Sequence, residues 1–568
     1  MHGSPKEAAG FAHFAYVNPD APKGGRLTLG ASGAFDSWNP MIVRGEPAQG
    51  VREFLIESLM ARGLDEPFTL YGLLAESIDV PPDRSQVTFR LNPLAHFSDG
   101  RPVTADDVLF SFELLRDKAR PNYRTYYKKV ARAERLGERE VRFVFAGGGD
   151  RELPLILGLM PVLARHAVDA GTFEETSLVA PVASGPYRIA HIDPGRSIAY
   201  ARDPTYWGKD LPVNRGRFNF DEIRFESFRE ASTLFEAFKT GEIDLRSEED
   251  AARWAEGYAI PALAEGRIVK AEFEIGLPAG MAALVFNLRR PVFADQRVRE
   301  ALILLFNFEW VNKSLFHGLC KRTQSFFERS ALSSTGKPAD ARERALLAPY
   351  LDRVKPAILD GSYRFPVSDG SGHNRDNARK AYELLTAAGY TLDGGKLVQR
   401  ETRKPFEFEI LAGSSAQERL LASYAGDLAK LGITARLRVV DSAQYQARLR
   451  DYDFDMMQFQ WPASLSPGNE QLFRWSAQVA RQPGSFNYAG VENPAADAMI
   501  AALLAAASPE DFVSAVRALD RVLLSGDYVI PLFHVPRQWV AYWRRLRHPE
   551  VTPLTGYSID SWWAADGN

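Results

Sequence analysis

The chain holds a single cysteine, Cys320, among its 568 residues, so it closes no internal disulfide and builds no multi-cysteine metal site. Cysteine scarcity suits cytoplasm and periplasm alike and places the protein in neither. Long apolar runs are also missing. Runs such as Ala301 to Phe306 are far short of the roughly 20 residues that cross a bilayer. Charge of one sign is lacking as well, since 69 basic and 72 acidic residues leave a formal net charge of −3. That balance argues against nucleic acid or an anionic membrane as partner. The chain contains no HExxH, CxxC, GxSxG or GxxxxGK[ST] pattern, the commoner short signatures of metal, redox, acyl-transfer and phosphate chemistry. Gly147-Gly148-Gly149-Asp150 lacks dinucleotide-loop spacing, and Thr335-Gly336-Lys337-Pro338 puts proline where a phosphate loop needs a hydroxyl. The nine histidines form no i, i+3 or i, i+4 pair, so no helical metal face is expected.

What remains is an ordinary soluble composition, 45% hydrophobic and 25% charged, on a chain too long for one core. Length suggests three or four domains or subdomains. Strand and helix patterns alternate throughout, which favours α/β lobes. In the stretch 74–115, Val87, Phe89 and Leu91 alternate with polar residues as a half-buried strand does. Asp99-Gly100 then supplies a turn. Thr104 is placed to cap a helix whose first turn holds Asp106 and Asp107, and Val108, Leu109, Phe112 and Leu115 give that helix a buried face. Later, Phe406 to Ile410, a capping box at Ser415-Ala416-Gln417-Glu418, a stripe of Leu420, Leu421, Tyr424, Leu428 and Leu431, a stop at Gly432, and alternation from Ile433 to Val439 make a βαβ unit. A second helix is expected from Ser508-Pro509, burying Phe512, Val516, Leu519 and Leu523. The segments 1–23 and 330–372 read respectively as an extended arm with few core signals and an irregular, wrapping excursion.

The stretch 74–115 closely resembles the signature of the extracytoplasmic solute-binding proteins of peptide-type ABC importers, solute-binding family 5. Further segments resemble the family in its own order: Ser184-Gly185-Pro186-Tyr187, Asp221 to Leu245, Leu284-Val285-Phe286-Asn287 with Phe293 to Ala301, and Val529-Ile530-Pro531-Leu532-Phe533-His534. Within it, Tyr16 to Gly25 and Ser466-Pro467-Gly468-Asn469-Glu470 look like the YejA branch of oligopeptide binders. The resemblance implies an α/β, two-lobed periplasmic binding protein fold with a hinge and an extra subdomain inserted in the first lobe. The implied division is 1–45 for an N-terminal arm and the start of lobe one, 46–183 for the inserted subdomain, 184–284 for lobe one continued, 285–530 for lobe two, and 531–568 for the return to lobe one. It implies capture of short peptides or peptide-like molecules, delivery to ABC permease subunits, no cofactor, no catalysis, a monomer and a periplasmic location. Met1-His2-Gly3-Ser4 reads as a start added to a mature chain whose signal peptide has been removed.

A peptide held between lobes needs partners for its backbone and termini and room for its side chains. Three segments are candidates for ligand contact. Ala31, Ser32, Phe35, Asp36 and Trp38 follow the first strand. Phe459, Gln460, Trp461 and Ser464 follow the strand 454–457, with Asn469 and Glu470 beyond. Phe533 and His534 lie on the return crossing. Arg474 and Asn487 are candidates for a ligand carboxylate. The resemblance implies an aspartate that pairs with the peptide amino terminus where Ser464 stands, so Asp36, Asp455 or Glu470 would have to replace it, or the ligand lacks a free amine. Relatives that bind opines, sugars or metal chelates keep those ligands open. A periplasmic hydrolase with two distant carboxylates and a chaperone-like holdase are the readings from other classes.

Overall fold

The strand Arg26–Ser32 organises the first lobe because it is parallel to both neighbours, Glu222–Phe228 and Leu245–Glu248. Parallel neighbours need long crossovers, and the first of these holds nearly 200 residues of chain. The computed structural model describes residues 4–147, 149–413 and 417–565. Its seven-stranded sheet runs Ile268–Phe273, Gln538–Trp543, Leu245–Glu248, Arg26–Ser32, Glu222–Phe228, Ser197–Arg202, Tyr187–Asp193. The helix Ala231–Thr240 links two of the parallel strands and stops at Gly241, whose φ of 87° gives the left-handed cap that glycine adopts without strain.

Within that first crossover a four-stranded antiparallel sheet forms, ordered Ala75–Asp79, Gln86–Leu91, Glu140–Phe145, Val130–Gly137. Val87, Phe89 and Leu91 are buried as their alternation requires. Gly100, at φ 85°, turns the chain into the helix Ala105–Lys118. The Thr104 amide and hydroxyl both donate to Asp107 Oδ2, at 2.9 and 2.7 Å. The unit is tied to lobe one by Glu57, which accepts from the Tyr206 hydroxyl and, at 3.2 Å, from Trp207 Nε1. Asn214 in turn donates to the Tyr206 oxygen at 2.9 Å. The expectation of an extended arm with few core signals needs correction. Phe14, Tyr16 and Val17 form their own buried cluster with Tyr71, Leu73 and Val213, because stacked aromatics shed enough water to dock an otherwise irregular segment.

Lobe two is built on a five-stranded sheet in the order Thr434–Val439, Glu407–Ala412, Met456–Trp461, Met281–Phe286, Val529–Pro531. The βαβ unit stands, with Glu407–Ala412 parallel to Thr434–Val439 and the helix Glu418–Ala429 between them burying Leu420, Leu421, Tyr424 and Leu428. Its anticipated capping box includes Ser415 and Ala416, which lie outside the described residues. The helix Pro509–Ser525 buries Phe512, Val516, Leu519 and Leu523. The excursion 330–372 is less irregular than its composition suggests. It contains the helices Ala341–Leu347 and Pro356–Leu359, fastened by a buried ion pair between Glu343 and Arg521 at 2.6 Å. Asp520 holds the preceding turn, accepting from Ser325 Oγ, Phe326 N and Ser334 N within 2.9 Å.

Two extended segments join the sheets, 274–280 and 532–537. Arg329 of lobe two donates to both, reaching Val535 O at 2.9 Å, Pro536 O at 3.2 Å and Leu277 O at 3.2 Å. Gly280 ends the first crossing with φ 70°, and a Cβ there would run into the Trp461 carbonyl. Side chains are excluded at that point by both conformation and space.

Burial pushes the Glu57 carboxyl up from 4.5 to about 7. Folding therefore favours its neutral form, and the stability this provides is complete in acid and lost as pH rises through 7. The expected fall in unfolding free energy between pH 4.5 and 8 from this group is about 3 kcal/mol. Urea titrations across that range should show it, and Glu57→Gln should flatten the profile.

Candidate functional site

Between the lobes lies a partly enclosed cavity of roughly 100 Å³, lined by five separate stretches of chain. The hairpin Met60–Arg62 with Leu70–Gly72 and its connection supply Arg62, Leu64, Glu66 and Thr69. Leu155 and Leu159 come from the inserted subdomain, Leu277 from the first crossing, Ser464 to Ser466 from lobe two, and Leu554 and Thr555 from the C-terminal return. The walls are mainly leucine, with hydroxyls at Thr69, Ser464, Ser466 and Thr555. That mixture suits an organic solute with an apolar body and a few hydrogen-bonding groups. Glu66 is already satisfied by the Lys6 amide at 2.9 Å, Thr69 Oγ1 at 2.7 Å and the Tyr71 hydroxyl.

A second cavity adjoins the same lobe-two loop. Asp150, Arg151 and Glu152 line one side, Pro467, Gly468 and Asn469 the other. Here the lobes touch directly, for Asn469 Nδ2 donates to Glu152 Oε2 at 3.0 Å. Burial raises the Glu152 carboxyl above its usual range, opposed by the Asn469 bond and reinforced by the charges of Glu470 and Asp150. A Cβ added at Gly468 would fall on Glu152 Oε1. Gly468 does not have a positive φ, so its lack of a side chain matters for this approach rather than for its backbone.

The structure divides the candidate contact residues. Ser464 lines the first cavity and Asn469 the second. Glu470 caps its own turn, accepting from Gly468 N at 3.0 Å. Arg474 donates to Pro462 O at 2.7 Å. On the lobe-one wall, Ala31 and Ser32 end their strand opposite Ser227 and Phe228. Phe35 is buried, Ser32 and Asp36 are exposed, and Trp38 is half-buried against the lobe-one core. The Asp36 carboxylate accepts from Glu46 N at 2.7 Å. These residues line neither interlobe cavity. Phe533 packs on Phe316 with ring centroids 4.3 Å apart. His534 Nδ1 sits 3.1 Å from Thr323 Oγ1, and burial, with Arg329 and Lys321 nearby, pushes it down to about 4. It is neutral at physiological pH.

Two expectations need correction. The strand in lobe two spans Met456–Trp461, not 454–457, so Phe459, Gln460 and Trp461 are strand residues rather than loop residues. Trp461 is consequently 3% exposed, with its indole donating to Phe486 O at 3.2 Å. Phe459 packs between Trp461 and Tyr488, while Gln460 faces outward. Asn487 is wholly buried and fully used, donating to Ser476 O and Val491 O and accepting from Val491 N. No group of it is left for a ligand. Sequence reading missed Arg62, Thr69, Glu152, Leu554 and Thr555, which carry no local pattern and meet only through the tertiary fold.

Residues 69–482 match the family described as bacterial extracellular solute-binding proteins, family 5. The chain belongs to that family. Family 5 relatives extend over nearly its full length. A putative binding protein of Brucella melitensis is 51% identical over 99% of this chain and 93% of its own. The peptidoglycan-binding protein YepA of Agrobacterium fabrum is 46% identical, covering 100% and 94%. The probable peptide-binding protein YejA of the same organism is 40% identical, covering 99% and 93%. The oligopeptide-binding protein AppA of Bacillus subtilis, solved with a nonapeptide, superposes with TM-score 0.69 at 19% identity over 96% of this chain and 100% of that one. The family 5 fold is thus the two-lobed periplasmic binding protein fold, as its sheets display. Among the described residues no helix is long and apolar enough to cross a membrane, and no three His, Cys, Asp or Glu side chains gather as a metal site.

Gly468→Ala should force Glu152 to turn away and give up its bond to Asn469. Amide hydrogen exchange over 467–472 is expected to quicken by about 2- to 10-fold, the worth of one hydrogen bond. In a Glu152→Ala background the same substitution should add nothing further, because the bond it removes is already gone.

Proposed function

We propose that this protein is the substrate-binding component of an ABC importer, capturing short peptides or peptide-like molecules between its lobes and passing them to a membrane permease. The observation that carries the reading is the cavity shared by the inserted subdomain, the first crossing, lobe two and the C-terminal return. A solute there touches the inserted subdomain, the first crossing and lobe two at once, so its binding energy favours the closed form. Leucine walls tolerate varied side chains, while the hydroxyls of Thr69, Ser464, Ser466 and Thr555 suit the backbone groups that all peptides share. The names of YejA and AppA point to peptides, and that of YepA to peptidoglycan, which itself carries short peptides.

In this reading the protein works in the periplasm as a monomer after removal of a signal peptide, and releases its ligand chemically unchanged. The working units are the arm and start of lobe one through residue 45, the inserted subdomain 46–183, lobe one to 284, lobe two to 530 and the return thereafter. Ser464 and Asn469 are the contacts from lobe two in this reading, whereas Ala31, Ser32, Asp36 and Trp38 lie away from both cavities.

Native mass spectrometry of the purified protein tests this directly. Bound peptides, displaced by added short peptides and recovered intact, are the expected result. A retained sugar or metal chelate, or turnover of added peptides, would overturn the peptide-carrier reading.

A further inference from the structure

The two interlobe cavities share their walls. The helix Leu153–Gly158 and its flanks give Leu155 and Leu159 to the first cavity and Glu152 to the second. One loop gives Ser464 to Ser466 to the first and Pro467 to Asn469 to the second. The third element common to both is a pair of rings. Phe68, in the connection of the hairpin 60–72, lines the first cavity, and Phe512, from the helix Pro509–Ser525, lines the second. The rings meet edge to face with centroids 5.3 Å apart, so Phe68 reaches across from the hairpin onto the lobe-two core. Its φ of 61° is a left-handed conformation that a bulky residue rarely takes and keeps only where its surroundings fix it. Here Gly63 N donates to Thr69 O at 3.2 Å, and Thr69 Oγ1 donates to Glu66 Oε2 at 2.7 Å, which closes the connection around Phe68.

We infer that Phe68 is a partition that sets the length of ligand the cleft accepts; this rests on the peptide-carrier reading of the cavity. The first cavity, at roughly 100 Å³, falls below the roughly 300–1,000 Å³ of ordinary ligand pockets, and with the roughly 300 Å³ of the second the space enters that range. A ligand short enough for the first cavity leaves the ring pair intact. A longer one reaches the second cavity only by parting Phe68 from Phe512, and so forfeits an edge-to-face contact. Removing the Phe68 ring joins the cavities and lifts that penalty.

The test compares the association constants of an alanine dipeptide and an alanine pentapeptide by isothermal titration calorimetry. Phe68→Gly should raise the pentapeptide-to-dipeptide ratio by about 2- to 12-fold over the wild type, the worth of one edge-to-face ring pair. Glycine takes a positive φ without strain, so this variant should fold, which far-UV circular dichroism checks. Phe68→Asn, which also tolerates that conformation, should raise the ratio likewise. Leu277→Ala widens the first cavity alone and should weaken both peptides with their ratio unchanged. A ratio that Phe68→Gly and Phe68→Asn leave at the wild-type value, or that Leu277→Ala raises as much, overturns the inference and leaves the carrier reading standing. Binding of neither peptide by the wild type overturns the peptide reading and this inference together.

Discussion

The lobes depend on how the two crossings are held. They are extended and short, and neither belongs to either main sheet. The Arg329 guanidinium donates to carbonyls on both, so the segments are kept side by side by one side chain rooted in lobe two. Burial lowers the Arg329 pKa, yet a guanidinium keeps its proton, and the bridge persists across physiological pH. The first crossing is anchored at one end by Gly276 N donating to Leu554 O at 2.8 Å and at the other by Ala279 N donating to Glu328 O at 2.9 Å. The two crossings are thereby tied to each other, to lobe two and to the C-terminal return.

The scaffold was readable where local chemistry and tertiary packing agree. The strand at Val87, the turn at Gly100, the helix from Thr104 and the βαβ unit at 406–439 each carry periodicity, punctuation and capping in one short window. Errors arose where one of these was missing. Pro462 and Ser464 give the stretch at Trp461 the composition of a loop, but the strand runs up to the proline and leaves the indole inside. Asn487 has the residue type of a ligand contact, yet its side chain is spent on three backbone groups.

The candidate site was legible only on one side. Ser464 and Asn469 were found because the loop 464–470 is itself a recognisable stretch. Its partners across the cleft, Arg62, Thr69 and Glu152, sit in ordinary sequence and acquire meaning only when the inserted subdomain is folded against lobe two. An exposed arginine at the end of a three-residue strand has no signature.

The loop 464–470 lines the first cavity through Ser464, Leu465 and Ser466 and meets Glu152 through Asn469, so one loop joins both interlobe cavities. While Asn469 lies against Glu152, burial holds that carboxyl above its ordinary value. The Asn469 bond acts in the opposite sense and favours the charged form. Two demands thus meet on one short loop, which leaves room for a solute beside Ser464 and at Gly468 comes close enough for Asn469 to reach the carboxylate.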